Sequence, residues 1–410
     1  MSAWNVGVFM QKLVASKLSS LNFTQGEIWV FVRVIDNWGD VGVGWRLAMQ
    51  LAQCFPWQVR LWIDNTTALD KLVPLAEQAA WQNKLTVERW LSDAELAVRL
   101  KTISDPVMVI ETFGCDLPQV VLQRMVVCQP LWLNWEYLTA EDWAVDLQAM
   151  PSLQNNGLAK YFWFMGIDVN SGGLLREADY LSRRAEFLLQ PDLQKNFKQQ
   201  YGLPLQHVGQ LWLLFAYASE HWNDWLAMWR EADTPMTLWL AGREIVDGWR
   251  CAGLIPANTL LNVGDELTMD NLTMVRIPFV PQSAFDCLLW LVDAAVVRGE
   301  DSFVRAQWAG IPFLWHIYQQ QEAAHMCKLD AFWQKVTVNW PPSLRQSLLA
   351  LSADMNGENS LEKQEREAAW QNLCSEWKNW VNAAAGWSES LHLQSTAMER
   401  LARFSQIPLK

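Results

Sequence analysis

Short apolar runs recur along the chain and predict its strands. In the first half they lie at 28–35, 58–63, 85–90, 107–111 and 131–135, and in the second half at 211–217, 236–241, 275–280, 294–298 and 313–317. Continuous apolar runs are typical of strands buried on both faces of a parallel sheet. Stretches with helical patterns lie between several of these runs, so the chain is predicted to be an α/β protein with two parallel sheets.

The same pattern indicates where the chain divides. The stretch 187–206 is polar, contains two prolines and separates the two series of strands. We therefore predict an N-terminal extension over 1–25, a first Rossmann-like domain over 26–186 and a second over 187–387. A last helix at about 388–410 is expected to pack back on the first domain. Other helices are predicted at 45–53, 221–231, 283–292 and 364–385, with one more that begins near residue 302.

Charge and motif counts exclude several classes of function. The chain has 32 basic and 44 acidic residues, a net charge of −12, and no basic run, which argues against nucleic acid as the main partner. No apolar run approaches the roughly 18 residues of a membrane-spanning helix, and no signal-peptide pattern opens the chain, so a cytoplasmic protein without membrane contact is expected. Scattered cysteines without a CxxC pair and histidines without HxxxH spacing predict free thiols, no metal site and no cofactor.

The chain contains 27 tryptophans, an excess that first suggests a surface for stacking on sugars. Their placement favours a plainer interpretation. Trp29 and Trp212 fall inside predicted strands, and Trp225 and Trp229 lie on a predicted helix at core-like spacing. We therefore interpret the excess mainly as core filling. Trp38 is the exception, because it lies between two acidic residues of a turn.

That turn follows the first predicted strand and combines glycines with acids. It contains Asp36 and Asp40 together with Gly39, Gly42 and Gly44. The glycine spacing does not match the GxGxxG turn of dinucleotide-binding proteins, and carboxylates would repel a pyrophosphate. The turn therefore suits a cationic or hydroxyl-bearing group. The alternative is that Asp36 caps the turn and Asp40 caps the next helix.

A second polar loop follows the predicted strand 294–298. Arg298, Glu300, Asp301 and Ser302 crowd the start of the next helix. Free backbone N–H groups at such a start bind phosphate, Arg298 could neutralise a phosphate oxygen, and Glu300 could accept hydrogen bonds from sugar hydroxyls. A capped helix with a surface ion pair is the alternative, but this many polar residues at the end of a buried strand favour a function.

Aromatic residues at other strand ends could hold a planar base. Phe279 and Phe285 follow a predicted strand, and a base could stack on their rings while Gln282 contacts its polar edge; core packing is the alternative. Glu111 and Asp116 add acids after the strand 107–111, where a loop with an Asp turn is the alternative. Three more rings lie at comparable positions in their own strand units: Phe215, Tyr217 and Tyr318.

Two of these stretches resemble one known family. Residues 36–48 (DNWGDVGVGWRLA) and 298–312 (RGEDSFVRAQWAGIP), with WHIY at 315–318, are similar to the bacterial protein-arginine rhamnosyltransferases that modify translation elongation factor P, the EarP type. The resemblance runs from about residue 28 to the C-terminus, and its second motif is long and specific. The family's turn often carries Tyr at the position of Trp38 and Cys at the position of Gly44, so neither departure affects an acidic position.

The resemblance implies a GT-B fold, in which two Rossmann-like domains face each other across a cleft and the second holds most of the donor, dTDP-β-L-rhamnose. It also implies inverting transfer of rhamnose to an arginine of elongation factor P, which activates that factor to rescue ribosomes stalled at polyproline. The family's catalytic carboxylates fall on Asp36, Asp40 and Glu300. Its acceptor-side turn falls on Asn37, Trp38 and Gly39, and its nucleotide-sugar contacts fall on Phe215, Tyr217, Phe279, Gln282, Phe285, Arg298, Glu300, Asp301, Ser302 and Tyr318.

This chemistry is consistent with the residues. A guanidinium has a pKa of about 12 or more and is a poor nucleophile, but a carboxylate can orient it and take a proton as the new bond forms. We assign that role to Asp40, with Asp36 positioning the acceptor or the loop. Arg298 and the helix start at 301–303 would stabilise the leaving diphosphate without a metal. The acidic balance would attract a locally basic arginine loop.

Two other interpretations remain at this stage. The chain could be a GT-B transferase or sugar-nucleotide epimerase with a different donor, or a non-catalytic module that binds elongation factor P. The presence of Asp36, Asp40 and Glu300 argues against the module. Without the resemblance, the residues alone define a two-domain α/β enzyme for a phosphorylated or nucleotide ligand.

Overall fold

The computed structural model describes residues 26–35, 38–319, 323–357, 359–407 and 409. This part of the chain forms two compact units. One consists of the described residues up to Glu177 together with those from Gln394 onward, and the other is Ala178–Leu393. The predicted N-terminal extension over 1–25 lies outside the described residues. Among the helices within these ranges, none is long and apolar enough to cross a membrane.

The first unit contains the strands that the apolar runs of the first half predict, with bounds shifted by a few residues. Two further strands, β6 and β7, are absent from the predictions. The strands are β1 Glu27–Val32, β2 Gln58–Ile63, β3 Leu85–Arg89, β4 Pro106–Thr112, β5 Leu131–Glu136, β6 Pro151–Leu153 and β7 Ala159–Phe164. The helices are α1 Gly39–Cys54, α2 Thr66–Leu72, α3 Leu75–Ala80, α4 Asp93–Arg99, followed by a 3₁₀ turn at Leu100–Thr102, α5 Gln119–Cys128 and α6 Asp142–Leu147.

These strands form one sheet in the order β3-β2-β1-β4-β5-β7-β6. The pairs from β3 to β7 are parallel, and β6 joins the edge antiparallel to β7. This is the order of a Rossmann-like doubly wound sheet, in which the strand order reverses between β1 and β4. Ligands of such sheets bind beyond the carboxyl ends of the strands at that reversal.

Helix α1 begins earlier than the sequence predicts. The predicted turn over 36–44 gives way to helix at Gly39, so the later glycines of that stretch lie within α1. A Cβ atom added to Gly44 would lie 2.5 Å from Cγ2 of Val32 in β1. Glycine therefore allows α1 to pack closely on the sheet, which places the start of the helix at the carboxyl end of β1.

The second unit repeats this organisation, with strands at the positions that the apolar runs predict and one unpredicted strand, β10. Its strands are β8 Gln210–Leu214, β9 Met236–Ala241, β10 Glu266–Met269, β11 Leu272–Ile277, β12 Ala294–Arg298 and β13 Phe313–His316. Its helices are α7 Tyr180–Leu189, α8 Pro191–Gln200, α9 His221–Glu231, α10 Glu244–Cys251, α11 Gln282–Leu291, α12 Asp301–Ala309, α13 Ala324–Val336, α14 Pro342–Met355, α15 Lys363–Ser375 and α16 Trp377–His392.

The second sheet has the order β10-β11-β9-β8-β12-β13. All its pairs are parallel except β10 with β11. The strand order reverses between β8 and β12, so this unit is also a doubly wound Rossmann-like unit. The loops after β8 and β12 therefore meet at its reversal point.

Tryptophan fills the cores of both units, as the sequence predicts. Trp29, Trp62, Trp212 and Trp239 lie on central strands with no exposed surface. Further tryptophans are buried on α9, α11 and α12: Trp225, Trp229, Trp290 and Trp308. The interpretation of the tryptophan excess as core filling is confirmed.

The boundaries between the units differ from the predicted ones. The first crossing lies after Glu177 rather than after residue 186, because α7 packs within the second unit. There the ring of Tyr180 lies 5.5 Å from that of Trp290, whose Nε1 donates to the Tyr180 hydroxyl at 3.0 Å. The return lies after Leu393 rather than after residue 387, because α16 continues to His392.

The predicted terminal helix is therefore shorter than expected. Helix α17 runs over Ala397–Ser405 and begins at a capping box formed by Thr396 and Glu399. It belongs to the first unit, where the ring of Phe404 packs at 5.3 Å on Tyr161 and at 5.6 Å on Trp163. Met398 and Leu401 on the same helix are also buried.

Candidate functional site

Asp40 lies in the first turn of α1, beyond the carboxyl end of β1. Its side chain is buried. Oδ2 accepts the backbone N–H of Ile35 at 2.8 Å, and Oδ1 accepts the hydroxyl of Tyr137 at 3.3 Å. The N-cap residue of α1 is Trp38. The alternative interpretation, in which Asp40 caps this helix, is therefore wrong. An ionised carboxylate is favoured at this position by the positive end of the helix dipole.

The other residues of the acidic turn are described only in part. Asp36 and Asn37 lie outside the described residues. Trp38 and Gly39 are half-buried next to Asp40, and the carbonyl of Trp38 accepts the N–H of Gly42 at 2.9 Å in the first helical turn. The described part of the predicted turn is therefore the start of α1, where Asp40 lies in the first helical turn and Trp38 is the N-cap residue.

Glu111, the acid predicted after the strand 107–111, lies inside β4 and forms a buried ion pair. Its Oε1 lies 2.6 Å from Nζ of Lys160 on β7. Burial raises the pKa of Glu111, and the contact with Lys160 opposes that shift. The ammonium also lies 5.1 Å from the ring centroid of Trp132. Asp116, in the loop after β4, is exposed, so the two acids have different environments.

In the second unit, Arg298 lies against the rings predicted to hold a base. Its guanidinium carbon is 4.6 Å from the ring centroid of Phe215 and 4.9 Å from that of Tyr217, which are cation–π distances. Nη1 donates to the carbonyl of Ala216 at 3.4 Å. The ring of Phe285 lies 5.5 Å from that of Phe215. These residues meet because β8 and β12 are neighbours in the sheet.

The polar residues after Arg298 organise the start of α12. Glu300 takes the N-cap position, so neither Asp301 nor Ser302 caps the helix. Instead, Oδ2 of Asp301 accepts Nε2 of Gln282 at 2.7 Å, and the hydroxyl of Ser302 donates to the carbonyl of Arg298. These contacts fix the loop that leads from β12 into the helix.

The start of α12 combines features that suit a phosphorylated sugar. The first N–H groups of an α-helix have no partner within the helix and attract anions. Gly299 adopts a left-handed conformation with φ of 61°, which glycine takes at little cost and which turns the chain from β12 into the helix. The largely buried carboxylate of Glu300 lies 3.9 Å from Nζ of Lys328 on α13.

Two rings of the predicted set keep a large exposed surface. Phe279, after β11, is 54% exposed and Tyr318, after β13, is 43% exposed. The ring of Tyr318 lies 5.6 Å from that of Tyr217, so it borders the group around Arg298. Exposed aromatic faces at the carboxyl edge of a sheet are suited to stack on a planar base.

His316 was not among the predicted site residues, yet it holds part of this group in place. It ends β13 opposite Arg298 and is buried, and its Nδ1 accepts the backbone N–H of Tyr217 at 3.1 Å. Burial, with smaller effects from His221, Arg298 and His325, lowers the pKa of His316 to about 3. The imidazole is therefore neutral and available as an acceptor at neutral pH.

Two further residues at these sites, Tyr137 and Lys328, were not predicted from the sequence. Tyr137 directly follows β5, and the rule that ligand-binding residues follow strand ends would have identified it. Lys328 lies within a helix, where no sequence signal distinguishes it.

Among the described residues, no group of three or more His, Cys, Asp or Glu side chains is arranged to hold a metal ion.

Two doubly wound Rossmann-like units, the second with rings, a guanidinium and a helix start at its strand reversal, are typical of proteins with the GT-B fold. A solved structure described as the structural basis for EarP-mediated arginine glycosylation of translation elongation factor EF-P aligns with a TM-score of 0.61 and 28% identity, over 93% of this chain and 99% of that one. A UDP-GlcNAc 2-epimerase from Neisseria meningitidis aligns with a TM-score of 0.50 at 10% identity, over 93% and 99% of the two chains, and shows the fold alone. The predicted fold class is confirmed.

Sequence comparison identifies the family. The family model for the elongation factor P rhamnosyltransferase EarP matches residues 28–406. Protein-arginine rhamnosyltransferases from Neisseria meningitidis serogroup B and Pseudomonas aeruginosa are 46% and 38% identical to this chain; each alignment covers 92% of it and 96% or 97% of the relative. The chain belongs to the EarP family of elongation factor P rhamnosyltransferases. It is thus an enzyme of the protein-arginine rhamnosyltransferase class, as the resemblance implied.

Proposed function

We propose that this chain transfers L-rhamnose from dTDP-β-L-rhamnose to one arginine of elongation factor P, with inversion at the sugar, and so activates the factor for ribosomes stalled at polyproline. The observation that carries the proposal is that the family match includes both polar loops, and that each loop follows a strand at the reversal point of its sheet. We also propose a cytoplasmic location, because ribosomes and their factors work there.

The second unit supplies groups for the donor nucleotide. We assign the thymine to the rings of Phe279, Phe285 and Tyr318, of which two are strongly exposed. We assign the polar edge of the base to Gln282, which lies between Phe279 and Phe285 in the sequence and whose Nε2 donates to Oδ2 of Asp301 at 2.7 Å. Stacking of a base on an aromatic ring contributes about 1–3 kcal/mol, so these rings are expected to supply much of the donor affinity.

The diphosphate belongs at the start of α12. Arg298 supplies a permanent positive charge, and the first N–H groups of the helix supply donors aimed at an anion. These groups also stabilise the negative charge that develops on the leaving dTDP, so we propose that the reaction needs no metal and no cofactor. Glu300 and Ser302 lie next to these groups, and we assign sugar hydroxyls to Glu300.

The acceptor side of the reaction requires a base, and we assign it to Asp40. As the arginine nitrogen attacks the anomeric carbon, the C–N bond forms and an N–H proton passes to the Asp40 carboxylate. The C–O bond to the diphosphate breaks, and its electron pair leaves with dTDP. Attack opposite the leaving group gives inversion. Asp36 is proposed to orient the guanidinium, together with the turn residues Asn37, Trp38 and Gly39.

The direct test is the intact mass of elongation factor P after incubation with this protein and dTDP-rhamnose. We expect the acceptor to gain the mass of one deoxyhexosyl group, and we expect the gain to persist in EDTA. Parallel reactions with other nucleotide sugars distinguish a different donor. No mass gain with both partners folded contradicts the proposed function, and loss of the gain in EDTA contradicts the metal-free reaction.

Two sets of variants separate the roles of the units. Asp40→Asn should lower the transfer rate by about 10³-fold, within the range for loss of a general base, while calorimetry shows donor binding close to wild type. Arg298→Ala and Phe279→Ala should weaken donor binding about 10-fold, as expected when a charged hydrogen bond or a stacking ring is lost. Weakened donor binding in Asp40→Asn would move Asp40 to a donor role.

A further inference from the structure

Tyr137 lies where it can act on the proposed base. It directly follows β5, and its hydroxyl donates to Oδ1 of Asp40 at 3.3 Å. The other carboxylate oxygen accepts the N–H of Ile35, so the carboxylate is held from two sides. A carboxylate accepts hydrogen bonds at both of its oxygens, and these two contacts, one to each oxygen, define its orientation.

The ring of Tyr137 is itself held by a second ring. Phe113 stacks on it with centroids 4.1 Å apart and an angle of 9° between the planes. Phe113 directly follows β4, which lies between β1 and β5 in the sheet. The loops after three adjacent strands thus meet at Asp40, Phe113 and Tyr137. Stacked pairs of this kind contribute about 0.5–1.5 kcal/mol beyond their burial.

The backbone of Phe113, which carries this ring, has a strained conformation. Its φ is 56°, in the left-handed region, which costs a non-glycine residue about 1–2 kcal/mol. Hydrogen bonds hold the conformation: the N–H of Phe113 donates to the carbonyl of Trp135 at 2.8 Å, and the N–H of Gly114 donates to Oδ1 of Asn134 at 3.0 Å. Strain that the surroundings enforce is common at functional sites.

We propose that Tyr137, supported by Phe113, is a positioning residue that holds the Asp40 carboxylate in the orientation needed to take the arginine proton. The inference rests on the proposed function of Asp40. Tyr137 keeps its own proton throughout, because the only proton transferred passes from the guanidinium to Asp40. Its hydroxyl stays as a hydrogen-bond donor whether Asp40 is charged or neutral, and that contact fixes the side chain before and after transfer.

The test compares conservative variants in the full chain. Tyr137→Phe retains the stacked ring and removes the hydroxyl alone, and we expect kcat to fall about 10-fold, the lower range for a hydrogen bond to a charged group. KM for the donor, donor affinity by calorimetry and the thermal midpoint should stay at wild-type values. Phe113→Leu retains the hydroxyl but removes the ring beneath it, and a smaller fall in kcat is expected. Tyr161→Phe, in β7 of the same unit, is the matched control and should leave kcat unchanged.

The outcomes distinguish this inference from the proposed function. Asp40→Asn is measured in parallel. If Asp40→Asn lowers the transfer rate as expected and Tyr137→Phe keeps the wild-type kcat, the positioning role is wrong while the base assignment stands. If Tyr137→Phe lowers kcat but also lowers the thermal midpoint or donor affinity, the residue is structural and the inference is overturned. If Asp40→Asn transfers at the wild-type rate, the proposed base itself is wrong.

Discussion

Burial determines the chemistry of His316. An exposed imidazole titrates near pH 6.5, but here the ring is buried and lies in a T-shaped contact with Trp222, with ring centroids 5.2 Å apart. Burial lowers its pKa to about 3, so the ring stays neutral and its Nδ1 accepts the N–H of Tyr217. A protonated ring would donate at both nitrogens and could not accept that hydrogen bond.

This burial predicts how stability depends on pH. Between about pH 6.5 and pH 3 the unfolded chain binds a proton at His316 that the folded chain does not, so the contribution to stability is complete above pH 6.5 and declines as the pH falls. At pH 5 the loss should be about 2 kcal/mol of unfolding free energy. Denaturant unfolding at pH 7.5 and pH 5 measures it.

The matched variant for this measurement is His316→Asn, which keeps an acceptor near the position of Nδ1 but does not titrate. It should lose less stability than wild type between the two pH values, whereas His207→Asn, at an exposed position, should behave as wild type. Equal pH dependence in wild type and His316→Asn would show that the buried imidazole does not control acid stability.

Among the elements, α17 is attached to the rest of the first unit by the hydrogen bonds of Arg400 as well as by the packing of Phe404. Nη1 of Arg400 donates to the carbonyls of Asp168 and Ser171 at 2.6 and 2.9 Å, and Nη2 donates to Oε1 of Gln394 at 2.9 Å. Burial lowers the pKa of Arg400, although the guanidinium remains charged. Gly173 also lies against this side chain, since a Cβ atom there would be 2.9 Å from Nε of Arg400.

Arg400→Ala should therefore destabilise the protein. Removing a half-buried guanidinium leaves several carbonyls without their donor, and we expect a loss of about 2–3 kcal/mol in the free energy of unfolding. Arg403→Ala changes an exposed arginine of the same helix and should stay within about 0.5 kcal/mol of wild type. Unfolding by denaturant compares the two, and equal stability of both variants would contradict the role of Arg400.

The sequence predicts where strands and helices lie along the chain better than it predicts which of them pack next to each other. Strands such as β1 and β12 are identifiable because a strand buried on both faces must be apolar along its length. β6 is a short, half-exposed edge strand and gives no such signal. Strand order depends on how helices cross the sheet, so the loops with Asp40 and Arg298 could be located, whereas the contacts of Asp40 with Tyr137 and of Arg298 with Phe215 could not.

At the scale of the whole molecule, the tryptophan excess and the acidic net charge have different meanings. The tryptophans lie largely in the cores and account for stability rather than for sugar binding. The net charge of −12, in contrast, concerns the surface and the partner. A large acidic excess steers a locally basic partner during encounter more than it strengthens the final complex. The proposed acceptor presents an arginine, and so its approach should respond to salt.

We therefore expect added salt to weaken the use of the protein acceptor. Between 0.01 and 0.1 M ionic strength the screening length falls from about 30 to about 10 Å, and KM for elongation factor P should rise by about 3- to 10-fold. The turnover rate with saturating acceptor should change little, because the bonds that form and break are internal to the complex. Steady-state kinetics at fixed, saturating donor measures both quantities. A KM that stays constant across this range would show that the acidic surface plays no part in recruiting the acceptor.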